Sequence, residues 1–284
     1  MGYIVHVGAG TAGAGTTSVA PTVSALALAG DMLLLAIPNK YPTNGPALPT
    51  GGGSKPWTLL GQVSGGAGAA GIDSGTVYAT MFWKVCETAD ISATITSAIT
   101  SGNSATSRIY AFRKLNEGDW EIPVLVTGSV NAAGTAWSVT TAALDLRIDD
   151  FVVAFSAING NTYSYSGQAL TPASVATDFT IFPTATLSDN STGQGDDCGY
   201  VVTTHNVADG IGQFACTYAM TASGTAGSEP AGATILCRLR LRGSYVTKIP
   251  ARRARALILK RKRSPSPPRT SIAEEVEKMR RMQR

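Results

Sequence analysis

Near the start of the chain, Gly8-Ala9-Gly10-Thr11-Ala12-Gly13 matches the G-x-G-x-x-G spacing and follows an apolar run, Tyr3 to Val7. In a dinucleotide-binding unit such glycines let backbone amides approach a pyrophosphate at a helix N-terminus. The continuation does not suit that chemistry. Ala14-Gly15-Thr16-Thr17-Ser18-Val19-Ala20-Pro21 is a poor helix, and the first acid downstream, Asp31, precedes its strand instead of closing one. With 31 Gly in the chain, a chance match is expected, and no cofactor is assigned.

Other reactive types are sparse. His6 and His205 lie far apart with no His/Glu partner at helical spacing, a weak case for a metal. No G-x-S-x-G elbow is present to raise a nucleophilic serine. The acidic pairs Asp149-Asp150 and Asp196-Asp197 flank turn signals, and Asp189-Asn190 to Asp196-Asp197 is the best candidate for an oxygen-rich Ca²⁺ loop. Neither follows D-x-D-x-D-G, so solvated turn residues are the expectation and no metal is assigned. Cys86, Cys198, Cys216 and Cys237 form no C-x-x-C pattern. Buried thiols are expected, with a disulfide between some pair left open.

Two groups of residues suit binding. Trp120, in Glu117-Gly118-Asp119-Trp120-Glu121, and Tyr163 and Tyr165, after the turn Asn159-Gly160, are aromatics near loops. They are candidates for stacking on a glycan or a host surface. The basic residues Arg252, Arg253, Arg255, Lys260, Arg261, Lys262 and Arg263 surround Ala256-Leu257-Ile258-Leu259. Without interleaved aromatics for base stacking, this run favours protein docking over nucleic acid.

These residues sit on a chain that reads as all-β. Asp31 opens the continuous apolar run Met32 to Ile37, which fits a fully buried strand. Pro38 to Lys55 is a long loop. Val77, Ala79, Met81, Trp83 and Val85 share one face of an alternating strand. Ile91 to Thr100 and then Ser107 to Arg113 continue the pattern. Further short runs follow at Pro123–Thr127, Ala136–Thr140, Asp150–Ala157, Phe179–Leu187, Gly199–Thr204, Gln213–Ala219 and Ala233–Leu241, separated by turn residues. This spacing predicts an antiparallel β-sandwich or jelly roll. No amphipathic helix precedes Pro250, and no run is long enough to span a membrane. The start has no basic region and apolar core of a secretory signal.

Residues 1–30 read as a Gly/Ala-rich arm with a first strand, 31–248 as the sandwich, and 249–284 as an extension. The charge divides sharply: residues 1–250 hold 11 Lys/Arg against 16 Asp/Glu, while residues 251–284 hold 12 against 3. Ser264-Pro265-Ser266-Pro267-Pro268 is a stiff spacer. Beyond it, Ser271 and Glu274 form a capping box for a short C-terminal helix with Ile272, Val276 and Met279 on one face. A helix of about 14 residues is marginal alone in water, so its stripe needs a partner.

The succession Gly30-Asp31-Met32-Leu33-Leu34-Leu35, Trp57-Thr58-Leu59-Leu60-Gly61, Val77 to Val85 and Arg108-Ile109-Tyr110-Ala111-Phe112 resembles minor structural proteins of tailed bacteriophages, often tail proteins. The resemblance spans mainly residues 1–240, marks strands, and carries no catalytic residues. It implies a non-enzymatic virion component, in the tail before the capsid, assembling with other virion proteins and with copies of itself, a trimer being one option. A capsid decoration protein and a carbohydrate-binding module are the alternatives.

Overall fold

In a computed structural model, the described residues are 4–40, 45–66, 76–99, 104–130, 136–159, 164–172, 181–190, 198–207, 211–223 and 231–242. All lie within the first of two units of the chain, Met1–Ser244; the second is Tyr245–Arg284. The predicted C-terminal helix and the basic run therefore lie outside the described residues, as does Tyr163.

The strands run in order β1 (Ile4–Ala9), β2 (Gly13–Gly15), β3 (Ser18–Val19), β4 (Met32–Lys40), β5 (Thr58–Gly65), β6 (Val77–Val85), β7 (Ser97–Ala98), β8 (Ser104–Lys114) and β9 (Asp119–Trp120). They continue as β10 (Val124–Val130), β11 (Ala136–Arg147), β12 (Phe151–Asn159), β13 (Ser164–Pro172), β14 (Ile181–Asn190), β15 (Cys198–Val207), β16 (Ile211–Ser223), β17 (Gly232–Leu239) and β18 (Leu241–Arg242). Every pairing is antiparallel. The first sheet has the order β1-β8-β4-β6-β5, the middle sheet β10-β17-β12-β15-β14, and the far sheet β11-β16-β13.

The three sheets stack. Even-numbered residues of β4 (Met32, Leu34, Ala36) meet odd-numbered residues of β12 (Phe151, Val153, Phe155) in one apolar core, with Phe112 and Phe151 edge to face at 5.5 Å. The other face of β12 (Val152, Ala154, Ile158) packs on Trp137, Leu144, Tyr218 and Met220 of the far sheet in a second core. The other face of β4 (Leu33, Leu35, Ile37) is covered by irregular chain carrying Val19, Val23, Trp57, Cys86 and Ile95 in a third. A strand covered on both faces has no polar side, which is why β4 and β12 read as unbroken apolar runs.

β10 to β17 have the connectivity of a rolled double-length hairpin. Counting these eight strands in order, the first pairs with the last, the second with the seventh and the third with the sixth. That is a jelly roll, with one departure: β14 adds to the edge of the middle sheet beside β15 instead of joining β13.

Two elements differ from the sequence expectation. Pro38 lies inside β4, not in a loop. β4 pairs with β8 at Ala36 and again at Asn39, skipping Ile37 and Pro38, so the donor that proline lacks is not called for there. Of the expected strand Ile91 to Thr100, residues 91–99 form bridges and the two-residue β7 after a short 3-10 turn at Thr88–Asp90, because they form part of the irregular cover that supplies Ile95 and Ile99 to the third core.

The N-terminal residues are folded onto the first sheet. β1 and β2 pair with β8. A Cβ on Gly10 would stand 1.7 Å from the Thr22 carbonyl oxygen, and one on Gly13 2.5 Å from the Pro21 nitrogen. The glycines of the G-x-G-x-x-G match thus allow two stretches of the same chain to lie in contact. Gly10→Ala is expected to cost about 1–3 kcal/mol by over-packing, seen as a lower melting temperature; an unchanged melt would refute this use of the glycine.

Candidate functional site

The densest polar constellation closes one end of the second core. β17 turns alternate residues to the far sheet, and after Leu236 the next two on that face are Arg238 and Arg240. Arg240 grips Asp150 through two bonds, Nε to Oδ1 at 2.7 Å and Nη2 to Oδ2 at 2.6 Å, and Asp145 through Nη1 at 2.8 Å. Arg238 donates to the Asp145 carbonyl at 2.9 Å and lies 3.5 Å from Glu121 Oε2. Asp150 also accepts the Arg147 amide at 2.7 Å, while the Arg147 guanidinium lies 3.3 Å from Asp145. Burial works against the Arg240 charge, but the bonds and charges of Asp150 and Asp145 outweigh it and hold its pKa above the ordinary range. Three cations and three anions thus join the β9–β10 link to β11, the β11–β12 turn and the end of β17. With its members turned toward one another, the cluster is chemically a brace.

A second buried pair lies on the first sheet. Lys84 Nζ donates to Asp90 Oδ1 at 2.9 Å and to the Lys55 carbonyl at 2.8 Å. Asp90 also accepts the amides of Gly53 and Glu87, each at 2.7 Å. Burial opposes the Asp90 charge, but these amides and Lys84 hold its carboxyl below the usual range. A shallow depression of about 630 Å³ beside it is lined by Ala29, Gly30, Gly53, Ser54, Cys86 and Thr88. Burial, then the charges of Asp90 and Asp31, push the Cys86 thiol up to about 11. A protonated thiol is a poor nucleophile at neutral pH.

The residues singled out by sequence fall as follows. His205 is fully buried in the second core beside Tyr218, its Nε2 3.0 Å from Thr203 Oγ1. Burial alone pushes its pKa down to about 4. His6 lies between Tyr110 and Phe112, also lowered by burial. The pair Asp149-Asp150 is divided: Asp150 belongs to the ionic brace, and Asp149 takes the left-handed turn position at φ 72°. Asp196 and Asp197 lie outside the described residues. Among the described residues no three His, Cys, Asp or Glu groups converge as a metal site needs. All four cysteines are buried thiols, none in a disulfide.

Trp120 is half-buried against the first core, and its indole N–H donates to the Gly30 carbonyl at 2.8 Å. Tyr165 packs its ring against the second core. Arg252, Arg253, Arg255, Lys260, Arg261, Lys262, Arg263, Ile272, Val276 and Met279 lie outside the described residues.

The ionic brace was not anticipated, yet a signal for it exists. In Cys237-Arg238-Leu239-Arg240-Leu241, strand alternation puts two guanidiniums on one face of an otherwise apolar strand, and buried cations require anions.

Among the described residues, the large apolar side chains Leu26, Leu28, Leu48, Leu59, Leu115, Ile122 and Val124 are all at least 42% exposed, Ile122 reaching 70%.

No family model, curated protein or solved structure matches this chain. Among the described residues no helix is long and apolar enough to cross a membrane.

Proposed function

We propose that this protein is a non-enzymatic structural component of a tailed-bacteriophage virion, in the tail or its tip, assembling with other virion proteins and with its own copies. The observation that carries this reading is the jelly-roll order of β10 to β17, an architecture used for viral shells and for lectins. Fold-level likeness is an analogy, since function lives in sites grafted on folds. The charge division supports it from another side: a slightly acidic body followed by a strongly basic extension is arranged for contact between molecules.

Truncation after Pro250 tests the reading. The body is expected to fold with an unchanged melting temperature and to be lost from purified particles. Full incorporation of the truncated chain would sink the idea, as would absence of the intact protein from particles. Labelling in whole particles by cryo-electron microscopy separates tail from capsid. The lectin use of the same architecture supports a second reading, glycan contact, for which Trp120, Tyr163 and Tyr165 are the candidates; a glycan array on the intact protein reports on it.

A further inference from the structure

We propose that β1 is an acid-released strand: protonation of His6 detaches Ile4–Ala9 from β8 while the chain from Gly10 onward stays in place.

The strand is placed to come away alone. It stands at one edge of the first sheet, and among the described residues it pairs with β8 only. Ile4 is fully buried and the other five residues of β1 are half-buried, whereas every residue of β4 is buried. Segments with few buried contacts are the ones that open locally. The register of β1 against β8 shifts between His6 and Gly8, and a bulge interrupts the ladder where it sits. From Gly10 onward the chain is held independently of β1. The Gly10 amide donates to the Ile109 carbonyl at 2.9 Å, the Thr11 amide to Thr22 Oγ1 at 2.9 Å, the Thr22 amide to the Thr11 carbonyl at 3.1 Å, and Ser107 Oγ to the Gly13 carbonyl at 3.0 Å. β2 then pairs with β8 again. The bulge thus divides a strand held on one side from a segment fastened on two.

His6 makes this strand sensitive to protons. It lies opposite Phe112, and its ring packs at a tilt on Phe112 at 5.5 Å and on Tyr110 at 6.0 Å. Its Nε2 is sealed from solvent and has no hydrogen-bond partner. Burial, the largest cause, and the charge of Arg108 outweigh a hydrogen bond with the Gly8 backbone and keep the ring neutral to lower pH than an ordinary histidine. A proton added at Nε2 creates an N–H with no acceptor, against two aromatic rings. A buried charge without a partner is among the costliest groups a fold can hold.

The neighbouring groups give that charge no relief. Strand alternation puts Arg108 on the same face of β8 as Tyr110 and Phe112. Arg113, opposite Val5, is bound to Asp31, and Lys114, opposite Ile4, donates to the Gly118 carbonyl at 2.6 Å. Phe151 of β12 packs on Phe112 and cannot titrate. The titratable members of the first core, Tyr110, Tyr200, Cys198 and Cys237, are phenols and thiols, which carry no charge in acid. Among the described residues no carboxylate acts on the ring. The imidazolium reaches water when β1 lifts, and β1 can lift without parting β8 from β4. Lifting bares the backbone groups of residues 110–114 that β1 had paired. Acid therefore turns a closed edge of the first sheet into an open one, and an open edge is a template for another strand.

Amide hydrogen exchange on the full chain tests this, read at each pH as protection relative to the intrinsic exchange rate. The amides of residues 5–9 are expected to lose protection by up to about tenfold per pH unit below about 6.5, the ordinary histidine value. Over the same range the amides of Gly13–Gly15 and of residues 33–35 keep theirs. His6→Phe fills similar space without a titrating nitrogen, and its β1 should show protection that does not change with pH. Global acid unfolding through His205 is told apart because it strips β1 and β4 together. Constant protection of β1 in the wild type, loss in β1 and β4 together, or a pH-dependent β1 in His6→Phe each overturns the proposal. Should His6→Phe fail to fold, the wild-type profile decides by itself, through β1 opening alone or not.

Discussion

Asp150→Ala lowers the stability of the body by about 3–5 kcal/mol in denaturant melts, the cost of stranding a buried guanidinium. Asp150 and Arg240 are almost wholly buried, and the carboxylate supplies two of the four bonds that hold Arg240. Its removal also deprives the Arg147 amide of its acceptor at the β11–β12 turn. Replacing both partners with apolar residues, Asp150→Leu with Arg240→Met, should recover part of the loss, because two desolvated charges leave together. Recovery is incomplete, since Asp145 then loses a partner as well. A single substitution costing under about 1 kcal/mol, the range of surface pairs, would show that the brace contributes little.

The second large effect is a loss of stability on acidification. His205 has a folded pKa of about 4 against an ordinary 6.5 because burial penalises the imidazolium. Between those values the unfolded chain binds the proton and the folded chain does not. The contribution is therefore fully present above about pH 6.5 and is lost as pH falls to about 4. A shift of this size corresponds to about 3 kcal/mol. His6, also lowered, adds in the same direction. The measurement is the difference in unfolding free energy between wild type and His205→Phe across this range. The phenyl ring fills the same space without a titrating nitrogen. A sloping difference is expected, and a flat one would rule out His205 as the acid-sensitive group.

The sequence made some of this architecture legible and hid the rest for definable reasons. Met32 to Ile37 announced a strand covered on both faces, and the structure covers both. The alternation Val77, Ala79, Met81, Trp83 correctly marked the face of β6 that meets the first core, yet Phe82 and Lys84 on the opposite face are buried too. Alternation signals two environments without saying that one is solvent. β13 is not legible in the sequence because Ser164 to Pro172 is mostly small and polar, and its register comes from β16 across the sheet. The G-x-G-x-x-G spacing has a poor continuation for a dinucleotide site, but its use against Thr22 and Pro21 depends on a tertiary approach that no spacing encodes. Aromatic residues near turn signals suggested exposed platforms. Trp120 is half-buried and donates its N–H to Gly30, a partner 90 residues earlier in the chain.

The stacking of the sheets sets an order of events at the ribosome. The first sheet is complete once Lys114 has emerged, with Met32, Leu34, Tyr110 and Phe112 on a face that has nothing to rest on. Its cover comes from β12, β15 and β17, and Val124 finds Arg238 only after roughly 110 more residues. At ordinary translation speeds that interval is on the order of ten seconds. The first sheet therefore depends for its apolar cover on strands that follow it in the chain, β12 first and β15 and β17 later.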